Sequence, residues 1–250
     1  MNKILLFCFP YAGGSAVIFH KWKHYLHPDI ELVPIELAGR GRRICDLLYR
    51  DVPEAIDDVF ALIKDRIGQS PYALFGHSMG SMISYELAKR IRQEGLPPPK
   101  HIFFSGRSAP HVKRKDEKIY HLMNDEEFKR EVMELGGTPP GFFDDPDLAQ
   151  LFLPLLKNDF RLAETVEDTH NIQPFDESIT VFMGKDDDLT AEECDGWKRY
   201  SKRNCHICYF EGKHFFLLDE TEQLVKIINR SLLNYPNINK SNEKDISFNY

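Results

Sequence analysis

Short runs of β-branched and aromatic residues alternate along the chain with longer stretches whose apolar residues recur every three or four positions. The runs predict strands at Ile4–Phe9, Ile30–Ile35, Tyr72–Gly76, His101–Ser105, Ile179–Gly184 and Cys205–Phe210. The stretches between them predict helices over Ser15–Leu26, Pro53–Ile67, Met79–Glu94, Ala191–Ser201 and Glu220–Asn234. Pro53 suits a first helical turn, and Gly95 followed by Pro97-Pro98-Pro99 stops the third helix. Alternation of this kind is the pattern of an α/β protein, a mostly parallel central sheet flanked by helices.

One segment breaks the alternation. From Arg107 to Pro174 there is helical pattern and no convincing strand. Asn124 with Glu127 reads as a capping box, and Gly136-Gly137 ends the helix it starts. Leu148, Leu151, Phe152, Leu155, Leu156 and Phe160 then form one apolar stripe. The expectation is one domain over residues 1–235, with residues 107–174 a helical insertion that packs on the core or closes as a lid over a substrate channel. Residues 236–250, rich in Asn, Lys and Ser, are expected to form a flexible tail.

Composition narrows the function classes. Lys and Arg number 32 against 39 Asp and Glu, a net charge of −7, so no basic excess exists to wrap nucleic acid. The longest uninterrupted apolar run, Ile4–Phe9, is far short of the roughly 20 residues of a membrane span and of the roughly 7–15 of a signal-peptide core. Five scattered cysteines, an odd number, suit a reducing compartment, and a cytoplasmic location is expected. Cys205 and Cys208 have the spacing of a metal or redox pair. Three residues apart on a strand they face opposite sides, however, so neither role is expected.

Candidate chemistry concentrates at Gly76-His77-Ser78-Met79-Gly80, directly after a strand and before a helix. In that context a serine sits on a tight strand-to-helix turn with its hydroxyl raised above the sheet edge, so Ser78 is the expected nucleophile. A serine hydroxyl needs a base, and the chain order of this architecture is Ser, then Asp or Glu, then His. His214 follows the last predicted strand, at the same sheet edge, and is the expected base. His77 is expected to point away around the turn, and His20, His24 and His27 to lie at the surface. The acid should follow the preceding strand, where Asp186, Asp187 and Asp188 compete; distance from the strand-ending Gly184 favours Asp187, with Asp186 next. The amides of Met79 and of Ala12, in the glycine-bearing loop Phe9–Gly14, are the expected oxyanion donors. No metal or organic cofactor is required by this set.

Phe9–Gly14, Gly39-Arg40-Gly41, Gly76–Gly80, Ser105-Gly106-Arg107, Gly184 to Asp187 with Trp197, and His214 together resemble the type II thioesterases. Those are stand-alone α/β-hydrolases that accompany nonribosomal peptide and polyketide synthetases. The likeness runs in order over about residues 3–234. It implies an α/β-hydrolase fold with a lid over the 107–174 region, and it supports Asp187. It also implies hydrolysis of acyl thioesters from the phosphopantetheine arm of carrier proteins, clearing misprimed or stalled modules. Lys213 departs from the family's usual glycine before the histidine, which bears on the loop's geometry. The partner expected is an acyl or peptidyl carrier domain, with no nucleic acid and no membrane, and the chain is expected to act as a monomer. Arg40, Arg42 and Arg43, with Lys113, Arg114 and Lys115, are either solvated loops or a docking surface for an acidic carrier. The rival readings are a general carboxylesterase, an acyl-CoA thioesterase on small substrates, and an idle binding module on the same fold.

Overall fold

A computed structural model describes residues 2–112, 118–165 and 172–233. The expected tail over 236–250, Asn234, and the basic run Lys113-Arg114-Lys115 lie outside the described residues. Six strands, β1 (Ile4–Phe9), β2 (Ile30–Pro34), β3 (Tyr72–His77), β4 (Ile102–Ser105), β5 (Ile179–Gly184) and β6 (Cys205–Phe210), form one sheet in the order β2-β1-β3-β4-β5-β6. Every pairing is parallel, with Leu6 opposite Ala73 and Phe104 opposite Val181 in the middle of the sheet. β1, β3, β4 and β5 are buried throughout, as strands covered on both faces must be.

The two-residue period of each strand divides the core. Leu5, Phe7, Phe9, Leu74, Phe104 and Val181 face α1 (Val52–Ile67) and α2 (Met79–Gln93). Leu6, Cys8, Phe75, Phe103 and Phe182 face the other way, against Phe19, Trp22 and the C-terminal helices. Cys205 packs on the first of these clusters and Cys208 belongs to the second, so the sheet separates their thiols.

Between β4 and β5 lie α3 (Asp125–Leu135) and α4 (Pro146–Glu164). Asn124 caps α3 by accepting from the Glu127 amide at 3.0 Å, and Gly136, at φ +87°, ends it. The reciprocal arm of the expected capping box is replaced by a 3.5 Å side-chain contact from Asn124 Nδ2 to Glu127. Phe128 and Val132 of α3 pack on Leu156 of α4. The stripe on α4 is only partly covered: Leu155 and Leu156 are buried, Leu148 and Leu151 exposed.

Two expected α-helices differ. The first is a 3₁₀ helix over Ala16–His24, and the segment after β5 is α5 (Ala191–Asp195) followed by 3₁₀ turns over Gly196–Tyr200. Their buried residues are Phe19 and Trp22 in one and Cys194, Trp197 and Tyr200 in the other, spaced by three throughout. Three residues per turn stacks i over i+3, and that spacing places each set on one face. After β6 the helix expected over Glu220–Asn234 is α7 (Thr221–Leu233), preceded by a short helix the sequence did not predict, α6 (Phe216–Asp219), with the Thr221 hydroxyl donating back to Leu217 C=O at 2.8 Å. No helix among the described residues is long and apolar enough to cross a membrane.

Candidate active site

The turn from β3 into α2 is forced by glycines. A Cβ on Gly76 would lie 1.9 Å from the Gly80 carbonyl oxygen, and one on Gly80 would lie 2.1 Å from that of Phe9. Only hydrogen fits at either place, so strand and helix meet at a sharp angle. Ser78, at its apex, has φ +53° and ψ −113°, and it is the one non-glycine residue with positive φ among the described residues. It occupies the N-cap position of α2, yet its hydroxyl makes no capping bond. The backbone there is tied down: Ser78 N–H donates to Ser105 C=O at 2.7 Å, and Ser81 Oγ donates to Gly76 C=O at 2.8 Å and Ser105 C=O at 2.9 Å.

At the same carboxyl edge of the sheet, the loops after β5 and β6 are knitted together. Lys185 N–H donates to Phe210 C=O and Asp186 N–H to Gly212 C=O, at 2.8 and 3.0 Å. Gly184 leaves room for the second loop, since its Cβ would meet Lys213 C=O at 2.5 Å. This stitching brings Asp187 Oδ2 within 3.0 Å of His214 Nδ1. The Asp187 side chain is 7% exposed and its other oxygen accepts from the Asp188 amide, whereas Asp186 and Asp188 are exposed. Lys213 accommodates its place before the histidine as an exposed residue, with the positive φ taken by Gly212.

His77 departs from expectation. Its ring is fully buried and lies beneath the candidate base, 5.1 Å between ring centroids from His214. Nδ1 of His77 is 2.8 Å from Ser105 Oγ, and Gly106, at φ +61°, makes room, since a Cβ there would approach the His77 ring to 2.6 Å. Burial, reinforced by the nearby His214, holds His77 well below the ordinary imidazole range. A neutral ring therefore supports His214 without opposing a positive charge on it. Tyr11 and Phe215 complete an aromatic wall, with centroids 4.9 Å apart. Of the other histidines, His20 and His24 are exposed and His27 is half-buried.

The loop after β1 faces the elbow. Gly14 N–H donates to Tyr11 C=O at 2.9 Å, closing a turn whose third residue, Gly13, has φ +76°. Neither the Ala12 nor the Met79 amide has an acceptor among the described residues. Gly13 N–H donates to Asp159 Oδ2 of α4 at 2.7 Å, and Asp159 is itself held by Arg40, at 2.6 and 2.8 Å. This link between residues 119 positions apart gave no signal in the sequence beyond the Gly39-Arg40-Gly41 motif. It also corrects the docking reading: Arg40 is buried, and Arg43 is committed to Asp58 at 2.7 and 2.9 Å, so of the three only Arg42 is an exposed cation. Ser105-Gly106-Arg107 likewise braces the site, with Arg107 donating to Ala163 C=O of α4 at 2.7 Å and accepting from Trp197 Nε1 at 2.8 Å. Among the described residues no cluster of His, Cys, Asp and Glu could hold a metal ion.

Comparison with known proteins places this geometry in context. A thioesterase domain model matches residues 5–232. The gramicidin S biosynthesis protein GrsT of Aneurinibacillus migulanus is 36% identical over 231 residues, covering 92% of this chain and 89% of its own. Among solved structures, ClbQ of the colibactin NRPS/PKS pathway superposes with a TM-score of 0.87 at 34% identity, covering 93% of this chain and 98% of its own. RedJ, a thioesterase of the prodiginine pathway in Streptomyces coelicolor, gives 0.85 at 31% identity, with 92% and 91% covered.

Proposed function

The chain belongs to the thioesterase family and is a thioester hydrolase, and from that premise we propose that it releases acyl groups from carrier-protein phosphopantetheine arms through Ser78, His214 and Asp187. The observation that carries the reading is the 3.0 Å His214–Asp187 bond beside the forced Ser78 elbow. Asp187 accepts the Nδ1 proton of His214, which leaves Nε2 as the base. Ser78 Oγ gives its proton to Nε2 as it attacks the thioester carbonyl, and the imidazolium formed is stabilised by Asp187. The Met79 and Ala12 amides donate to the oxyanion, each worth about 2.7–4 kcal/mol in the transition state. The thiolate departs and takes the proton, and water activated by the same histidine then hydrolyses the acyl-serine.

The chain's role in this reading is to clear acyl groups that block a synthetase module, which is supported by similarity to a gramicidin S biosynthesis protein and to a protein of the colibactin NRPS/PKS pathway. The helices between β4 and β5 serve as the lid of the acyl site. Comparing kcat/KM for one acyl group on a phosphopantetheinylated carrier protein, on a minimal thiol and as an oxygen ester tests this. Preference for the carrier supports the reading. Equal rates on all three would identify a general esterase instead.

A further inference from the structure

Helix α4 does more than cover the site. Two of its residues, Leu156 and Asp159, close on the same glycine from one face of the helix. A Cβ on Gly13 would lie 2.3 Å from Leu156 Cδ2, and Gly13 N–H donates to Asp159 Oδ2 at 2.7 Å. The Asp159 carboxylate has no solvent exposure. Both its oxygens are satisfied, by Gly13 and by the Arg40 guanidinium, whose Nη1 also donates to Gly14 C=O at 3.1 Å and whose Nε donates to Ala38 C=O at 3.3 Å. One buried ion pair thus joins α4, the loop after β2 and the loop after β1.

The consequence lies in peptide geometry. The Tyr11 carbonyl and the Ala12 amide belong to one planar trans peptide, so they point in opposite directions. Tyr11 C=O is held by Gly14 N–H, in a turn where Gly13 takes φ +76° and donates its own N–H to Asp159 Oδ2. Fixing those two bonds fixes where the Ala12 N–H aims. Arg40 has a second effect: an uncompensated carboxylate beside the oxyanion would oppose the charge that develops there, and the bidentate guanidinium cancels it.

We propose that Asp159 and Arg40 are positioning residues for the oxyanion hole, acting through Gly13 to aim the Ala12 amide, so that this part of α4 is a fixed wall of the catalytic site. The inference rests on the Ser78 reading above. The test is the double variant Arg40→Met/Asp159→Leu, because replacing a buried ion pair by apolar residues of similar volume often preserves stability. Steady-state kinetics on an acyl-pantetheine thioester are read beside the affinity for a trifluoromethyl ketone that forms a tetrahedral adduct with the serine.

Complete loss of one oxyanion donor costs about 10²–10³ in kcat, so a misaimed donor should cost about 10- to 100-fold. KM should change little, and analogue affinity should fall in step with kcat. A folded double variant with wild-type kcat and analogue affinity would overturn the inference, as would a loss of kcat that analogue affinity does not follow. If the double variant does not fold, Asp159→Asn decides, since its amide nitrogen replaces one of the two acceptor oxygens and breaks the shared hold on Gly13 N–H and the Arg40 guanidinium while keeping the side chain's size. A smaller, parallel loss of kcat and analogue affinity supports positioning, and unchanged values refute it. Wild-type protein that the ketone does not inhibit, or inhibits equally after Ser78→Ala, would instead overturn the serine-hydrolase reading and this inference with it.

Discussion

Ser78 holds a backbone conformation, φ +53° with ψ −113°, that a residue with a Cβ adopts at a cost of about 1–3 kcal/mol. Ser78→Gly removes that strain and gains unfolded-chain entropy worth about 0.4–1 kcal/mol in the opposite direction. Ser78→Ala keeps the Cβ and the strain. Both remove the hydroxyl, so both should abolish turnover, and they differ only in the backbone term. Glycine should therefore be the more stable variant by about 1–2 kcal/mol, reversing the usual order in which alanine leads. In a chain of this length 1 kcal/mol moves Tm by about 2–4 °C, so the glycine variant should melt about 2–8 °C above the alanine one. Thermal unfolding followed by circular dichroism measures the gap, and urea midpoints at constant m confirm it as stability. An alanine variant that melts with or above the glycine variant would refute a strained elbow.

Asp187→Asn should lower kcat by about 10³–10⁴-fold by favouring the wrong His214 tautomer, while Asp186→Asn, on an exposed side chain, should leave turnover nearly unchanged; kinetics on one acyl-thioester compares them. Gly80→Ala, whose methyl would meet the Phe9 carbonyl oxygen at 2.1 Å, should destabilise by about 3 kcal/mol or more, read as a loss of urea midpoint. Burial, with a smaller contribution from His206, holds His101 at about 4 against 6.5 unfolded. Between those values the unfolded chain binds the extra proton, so stability falls as pH drops from 6.5 to 4, by about 3 kcal/mol in all, and is unaffected by this group above 6.5. His101→Gln, still able to reach Thr180, should flatten that part of a pH series of urea melts.

β1 and β5 were legible because burial on both faces leaves continuous apolar runs, and the partly buried edge strand β6 through its β-branched and aromatic residues; all three match the sequence expectation residue for residue. The helices over Val52–Ile67 and Met79–Gln93 were legible through their long amphipathic period and their stops. Where buried aromatics stood three apart, at Phe19 and Trp22 or Trp197 and Tyr200, the reading of α-helix gave way to 3₁₀ turns, because a spacing of three alone does not separate the two periods. At the site, local chemistry was readable and long-range pairing was not. The elbow announces itself in five consecutive residues. The bond from Gly13 to Asp159, 146 positions away, depends on how α4 crosses the sheet edge, and His77 under His214 depends on the void left by Gly106.

The central claim, that acyl groups leave the carrier by way of Ser78, is tested most directly by mixing stoichiometric acyl-loaded carrier protein with the enzyme, quenching in acid within the first turnover, and mapping acyl mass onto peptides. The account predicts an acyl adduct on the peptide containing Ser78, decaying as free acid appears, with neither adduct nor acid formed by Ser78→Ala. Free acid released at the wild-type rate by Ser78→Ala, or an adduct on another residue, would contradict it.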